Sequence, residues 1–449
     1  MKRFRLAALA PNGRAVASIG RNRRVGQTAL STSNFLLLYA AMLVAASGNT
    51  AVQAVMPAIG RQLGMDDVVV AVAYTISAVL WVALAPFWAR ASDRHGRKAL
   101  TLVGVGGFVV STGLCGLALE AGLSGWVTAG MAFLLFAIAR GIYGSLGSAT
   151  PSATQAYLAS RTRRAARVTA LSSLASSFGL GTVIGPAMAP LFVFPLVGLS
   201  GPFFGFALIG LVVLVAVALW LPDDTRPRHG RRAGRGAAMS YPSLASSPTG
   251  SSVIAATAPR HVSKLRWTDP RVRPWIIAGV ASGHAQAALL TFLGFFVIDR
   301  LDLSPLGSEG PISIVLMTGA GATLAAQWGL IPQLRMSPRA LVAVGSGVAV
   351  IGFAVLIGAR DLYALVLGFS IASLGFGLTR PGFTAGASLA VPLSEQGGVA
   401  GIITAANGIA YVAATALTML VYQRGESIPA IVSLAGLVVL ALWAWRRLP

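Results

Sequence analysis

The stretch Ala89-Arg90-Ala91-Ser92-Asp93-Arg94-His95-Gly96-Arg97-Lys98 gathers four Lys or Arg residues, one Asp and one Gly between two long apolar runs, 66–89 and 100–121. A helix needs ~20 predominantly apolar residues to cross the hydrocarbon of a bilayer. The quoted stretch therefore reads as a short charged loop joining two membrane spans. The rest of the chain has the same character. Of its 449 residues, 55% are hydrophobic and 11% charged, and the mean hydropathy is +0.74. A soluble domain carries about 25% charged residues. A deficit of that size removes most of a solvated surface, so the solvent around this chain is lipid.

Outward from the loop, apolar runs and short polar joints alternate along the chain. Spans are expected near 35–59, 66–89, 100–121, 126–149, 169–192 and 202–221, and again near 274–298, 311–333, 339–359, 362–386, 397–421 and 428–445. The fifth and tenth are rich in Gly, Pro and Ser. The expected fold class is an all-α polytopic membrane protein with twelve transmembrane helices in two pseudo-symmetric six-helix halves. Basic residues concentrate in cytoplasmic loops of membrane proteins, and here they fill alternate loops. One side holds Arg90, Arg94, Arg97 and Lys98, then Arg161, Arg163, Arg164 and Arg167, then Arg335 and Arg339, and finally Arg446 and Arg447. The other side has Arg61, Arg300, Arg360 and Arg424 among eight acids, including Asp66, Asp67 and Asp299. Both termini are thus expected in the cytoplasm, with the protein multi-pass in an inner membrane. The segment 222–273 carries ten basic residues, and its Arg-, Ser-, Gly- and Pro-rich stretch is too poor in large apolar residues to pack a core. The expected organisation is a basic tail (1–34), a six-helix half (35–221), a cytoplasmic linker (222–273), a second six-helix half (274–445) and a short tail (446–449).

The net charge of +22 suggests nucleic acid, but its confinement to short loops between apolar runs argues against a nucleic-acid-binding face. The single cysteine, Cys115, precludes a disulfide within the chain. The first 33 residues have no apolar core followed by a cleavage site, so they read as a basic tail, not a signal peptide. The halves also resemble each other. Residues 98–106 (KALTLVGVG) at the start of the third span and residues 339–347 (RALVAVGSG) at the start of the ninth share five of nine positions, with Lys against Arg at a sixth. Duplicated halves around a midplane site are a transporter architecture.

Three motifs resemble those of the major facilitator superfamily. In the opening stretch, Asp93, Arg94, Gly96, Arg97 and Lys98 match the family's first loop motif, with Ala89 in place of its Gly and Ser92 in place of its usual Ala. Gly96 permits a tight turn between closely packed helices. Asp93 can pair with Arg97 or face a helix N-terminus across the two halves, which would make this loop a gate. The second copy of the motif, around Arg335 to Arg339, has no Asp and is degenerate. In the fourth span, Arg140-Gly141-Ile142-Tyr143-Gly144 resembles the family's intramembrane Arg motif, with Gly144 allowing close helix approach. Arg140 lies fourteen residues past Trp126, about 21 Å along a helix. An Arg that deep usually faces a bundle interior or aqueous cavity. In the fifth span, Gly181-Thr182-Val183-Ile184-Gly185-Pro186 resembles the motif the family associates with exporters running as antiporters, although Ala189-Pro190 replaces its closing Gly-Gly.

All 13 acidic residues fall in loops or at span ends, so the embedded ionisable set is Arg140, Arg380 and His284. A buried carboxylate, which proton-coupled drug exporters of this superfamily commonly use, is missing from that set. His titrates near neutrality, which makes His284 one coupling candidate and Asp93 another. Arg380 precedes Pro381, where a proline can break the helix. Asn49 and Gln53, four apart on one face of the first span, are further substrate candidates.

The resemblance implies a secondary transporter that moves a small organic molecule by alternating access, as an exporter driven by proton antiport and resembling the twelve-span drug:proton antiporter branch. It implies a monomer in the lipid bilayer, with no cofactor and no metal. Two embedded arginines without carboxylates leave a second reading open, an organic-anion porter using Arg140 and Arg380. A membrane enzyme or receptor is the alternative of another class. Against it, the embedded segments hold no cluster of His, Cys or carboxylates and no nucleotide-binding loop.

Overall fold

The computed structural model describes residues 31–162, 167–195, 197–223, 265–334, 336–392 and 395–449. Most of the basic tail and residues 224–264 of the linker lie outside them. The described residues form the expected all-helical bundle.

Five of the spans start at a capping side chain in the preceding joint, which satisfies a backbone N–H that has no partner inside its helix. The first span, Thr32–Gln62, is capped by Ser31 Oγ, which accepts from Asn34 N at 3.1 Å. The second, Asp67–His95, is capped by Asp66, which accepts from Val68 N at 2.8 Å. Gly96 alone separates it from the third, Arg97–Leu123, and does so at φ +92°, a backbone conformation that disfavours any side chain. The fourth span is Ala129–Leu146 continued by Ala149–Arg161; the fifth is Arg167–Met188 with a 3₁₀ turn Ala189–Phe192; the sixth is Gly201–Trp220. In the second half the seventh is Arg273–Arg300. The eighth runs through Glu309–Leu324, a π-helical turn Ala325–Leu330 and Ile331–Leu334. The last four are Pro338–Gly358, Leu362–Leu389, Gln396–Tyr422 and Ile428–Arg447. Ten of the twelve are long and apolar enough to cross a membrane, and the apolar parts of the fifth and eleventh are shorter.

Two expectations need correction. The fourth span does not stop near 149 but continues to Arg161. Its last turns are polar yet buried, because Ser152 and Thr154 donate to the carbonyls of Ser148 and Thr150, four residues back, at 3.0 and 2.8 Å. Hydropathy sees the hydroxyls, not the partners they find within the helix. Pro381 does not break the tenth span, which is continuous from Leu362 to Leu389. In a membrane helix, neighbouring helices and local adjustment can satisfy the carbonyl that a proline leaves free.

Within the first half, the first span packs on the fifth and the third on the fourth and sixth. Within the second half, the seventh packs on the eleventh and the ninth on the tenth and twelfth, which is the same arrangement shifted by six spans. The halves meet where the second span faces the eleventh and the fifth faces the eighth. The sequence repeat has a structural counterpart. A Cβ on Gly104 would lie 2.2 Å from Thr150 Oγ1 of the fourth span, and one on Gly345 would lie 2.5 Å from Thr379 Oγ1 of the tenth. In each half a glycine at the same place in the repeat lets the next span approach to backbone distance.

Gly104→Ala and Gly345→Ala should therefore each cost about 1–3 kcal/mol through overpacking. Gly347→Ala, whose Cβ would meet nothing within 4 Å, should be neutral. Thermal unfolding in detergent separates them; equal melting of the Gly345 and Gly347 variants would refute the close approach.

Candidate functional site

On the face away from the termini, Arg61 stands in the last turn of the first span. Its guanidinium donates to Asp67 through Nε at 2.7 Å and Nη2 at 2.6 Å, and to Asp299 through Nη1 at 3.0 Å and Nη2 at 3.1 Å. Asp67 opens the second span, whereas Asp299 ends the seventh, 238 residues away in the other half. Tyr422, at the end of the eleventh span, donates to Asp299 Oδ2 at 2.6 Å. Gln423 Nε2 donates to Asp66 Oδ1 at 2.7 Å, a second link between halves. The planar guanidinium suits this role because its fork can hold two carboxylates in one plane. Asp67 is largely buried, and Arg61 and Asp299 are each about a quarter to a third exposed. This cluster was not legible as a unit in the sequence. The only hint was a lone Arg at the start of a mostly acidic face.

Below the cluster lies a small inter-half cavity of about 60 Å³. It is lined by Gln53, Met56, Pro57, Val70 and Tyr74 from the first half and by Leu290, Thr291, Phe295, Leu316, Tyr411 and Thr415 from the second. A second cavity of about 20 Å³ shares Leu290 and Leu316 with it and is lined further by Thr182, Gln286, Thr323, Phe369, Ser373 and Phe376. Gln53 sits eight residues before Arg61, about 12 Å along the helix.

Arg140 is 1% exposed and donates to Asn49 Oδ1. Its guanidinium lies 4.9 Å from the ring centre of Tyr74 and 5.0 Å from that of Tyr143. The Arg140 carbonyl accepts from Ser77 Oγ at 3.1 Å. Gly144 makes the surrounding packing possible, since a Cβ there would lie 2.5 Å from Ser77 O. The structure thus brings Asn49, Arg140, Tyr143 and Gly144 together, and Tyr74 joins this group to the cavity. The glycines of the fifth span face the first. A Cβ on Gly181 would lie 2.7 Å from Ala46 Cβ, one on Gly185 would lie 2.2 Å from Ser47 O, and Thr50 Oγ1 donates to Gly181 O at 3.2 Å. Pro186 remains inside that helix.

Other sequence candidates fall elsewhere. His284 is half-buried in the seventh span and lines neither cavity; its neighbour Gln286 does. Arg380 is buried in the tenth span and also lines neither. In the loop motif, Arg97 is buried, and Lys98 Nζ lies 3.3 Å from the exposed Asp223 at the start of the linker. The side chains of Asp93 and Arg94 lie outside the described residues.

A sequence profile of the Major Facilitator Superfamily matches residues 38–415. No curated protein sequence matches the chain. Among solved structures, a D-xylose-proton symporter is similar at TM-score 0.69 and 16% identity, over 93% of this chain and 98% of that one. The human organic anion transporter MFSD10 (TETRAN) is similar at TM-score 0.61 and 17% identity, over 92% and 99%. The xylose transporter XylE from E. coli, in a partially occluded inward-open conformation, is similar at TM-score 0.61 and 13% identity, over 93% and 97%. At these identities the likeness is one of fold.

Arg140→Lys keeps a cation but loses the planar stacking on Tyr74 and Tyr143 and the fork that reaches Asn49. Stability should fall by about 1–2 kcal/mol, read as a lower melting temperature in detergent. A variant as stable as wild type would show that the stacked guanidinium holds nothing together.

Proposed function

The chain belongs to the major facilitator superfamily, and on that premise we propose that it is a secondary transporter that exports a small organic molecule by alternating access, driven by proton antiport. The observation that carries the reading is a cavity between two six-helix halves, capped on one face by Arg61 bridging Asp67 and Asp299. A carrier needs a central site that opens to one side at a time. Side-chain links that cross between the halves on one face hold that face shut and can be exchanged for links on the other. In this reading the termini lie in the cytoplasm of an inner-membrane protein, so the Arg61 cluster is the outer gate. Asp93 and Arg97 in the loop motif gate the cytoplasmic side. The fifth span, thinned by Gly181 and Gly185 against the first, bends as the halves rock. Coupling protons are taken by His284 or Asp93. The transporter works as a monomer.

The organic-anion reading draws less support. Arg140 already donates to Asn49 and stacks on two rings, and Arg380 lines neither cavity.

Two measurements test the proposal. Lumenal pH in proteoliposomes should change when a transported compound is added. Asp93→Asn should abolish that signal while the protein stays folded in the membrane; full activity in this variant removes the cytoplasmic gate assignment. For the outer gate, a cysteine placed at Thr415, in the cavity, should react slowly with a membrane-impermeant maleimide added outside. The native Cys115 is 1% exposed and silent. Arg61→Ala or Asp299→Asn should raise the labelling rate about tenfold, because loss of an inter-half ion pair worth roughly 1.4 kcal/mol shifts the population by that factor. An unchanged rate in both variants would mean that the cluster does not hold this face shut.

A further inference from the structure

The two cavities lie side by side between the halves with Leu290 and Leu316 lining both, and together they are termed the chamber. Among the described residues, no Asp, Glu, Lys, Arg or His lines it. Its lining is apolar residues broken by amides and hydroxyls. An ion placed there would give up its water without a counter-charge in contact, which costs several kcal/mol.

The nearest cations do not change this. Arg140 is sealed at 1% exposure, with its guanidinium on the Tyr74 and Tyr143 rings and a hydrogen bond to Asn49. Buried to this degree and absent from the lining, its guanidinium is not in contact with a solute in the chamber. Its charge, 4.9 Å from the ring of the chamber residue Tyr74, also opposes a cation stacked on that ring. Arg61, above the chamber, is held by two carboxylates.

The four threonine hydroxyls of the lining have a definite polarity. The hydroxyls of Thr182, Thr291 and Thr415 donate to backbone carbonyls of their own helices, Gly179 O at 2.7 Å, Ala287 O at 2.8 Å and Tyr411 O at 2.8 Å. Thr323 donates to Gly319 O and Ser373 O, both at 3.1 Å. With their protons committed, these hydroxyls turn acceptor lone pairs to the chamber. The Gln53 side-chain nitrogen, Nε2, is buried and has no hydrogen-bond partner. A buried donor left without an acceptor costs about 1–3 kcal/mol, a penalty that a ligand oxygen would relieve.

We propose that the transported substrate is an uncharged, largely apolar molecule carrying a carbonyl, ether or hydroxyl oxygen, and that Gln53 Nε2 donates to that oxygen. This rests on the transport reading above and narrows its substrate class. The apolar body of the molecule packs against Met56, Val70, Leu290, Phe295, Phe369 and Phe376, which line the chamber. Gln53 thereby acts as a specificity residue, selecting for an oxygen acceptor against a hydrocarbon of the same shape.

The substrate can be found and the proposal tested in one assay. Inside-out and right-side-out membrane vesicles from cells expressing the full chain are incubated with cytosolic extract of the same cells, energised in either direction, and their contents identified by untargeted mass spectrometry. Vesicles from cells without the protein are the background. The expected result is enrichment of solutes that are uncharged at pH 7 and carry an oxygen acceptor. Enrichment of carboxylates, phosphates or ammonium compounds instead would overturn the uncharged class and leave the transport reading intact. No enrichment in either orientation would remove the transport reading itself, and this inference with it. For the enriched solute, Gln53→Met keeps the side-chain volume and removes the donor. It should raise the concentration for half-maximal uptake about tenfold with little change in maximal rate, and Gln53→Asn, which keeps the amide, should recover part of the loss. An unchanged half-maximal concentration in Gln53→Met would overturn the donor assignment.

Discussion

Helices in lipid have no hydrophobic reason to associate, because the acyl chains are as apolar as their side chains. Packing must come from close contact, and in this protein glycine provides it. Gly104 and Gly345 bring the third span onto the fourth and the ninth onto the tenth; Gly181 and Gly185 bring the fifth onto the first; Gly144 brings the fourth onto the second. At each of these places a Cβ would strike the neighbouring helix at 2.2 to 2.7 Å. Each half is thus held together by backbone-to-backbone approach. The contact between halves is sparser, made mainly by the second span with the eleventh and the fifth with the eighth, with smaller contacts of the first on the seventh and eighth. Close-packed halves with a sparser seam are what a rocking carrier requires.

Charge is distributed according to the same logic. Inside the first half, Arg140 is costly in a membrane, and two aromatic rings and Asn49 offset that cost. At the seam, Arg61 and its two carboxylates stand at the membrane edge, where water can accept them when they part. Between these two arginines, among the described residues, the chamber is lined without Asp, Glu, Lys, Arg or His. Fixed charge therefore links helices within a half and across the seam, and among the described residues it is kept out of the cavity linings.

Much of this could be read from the chain. The apolar runs located the twelve spans, and the loop from Ala89 to Lys98 with the glycines of the fourth and fifth spans pointed to the family that the profile match establishes. The repeat of residues 98–106 at 339–347 anticipated two halves of like construction, and the matched contacts of Gly104 and Gly345 agree with it. What the sequence did not show has physical causes. The polar end of the fourth span was missed because Ser152 and Thr154 satisfy their hydroxyls on the helix itself, which hydropathy cannot register. Arg380 and His284 stood out as embedded ionisable residues, yet neither lines the chamber, since depth in the membrane says nothing about which way a helix face turns.

The sequence by itself determined the number and order of the spans and the asymmetry of charge between the two faces. Both are one-dimensional properties: a bilayer demands a minimum apolar length and penalises charge within it, whatever the helices do next. Only the tertiary structure decided that Arg61 pairs with Asp299 across 238 residues, that Arg140 is closed in by Tyr74, Tyr143 and Asn49, and that Gln53 is left as a buried donor at an uncharged chamber. Those outcomes depend on the rotation of each helix about its own axis, and that rotation is set by which small residues let which neighbours come close.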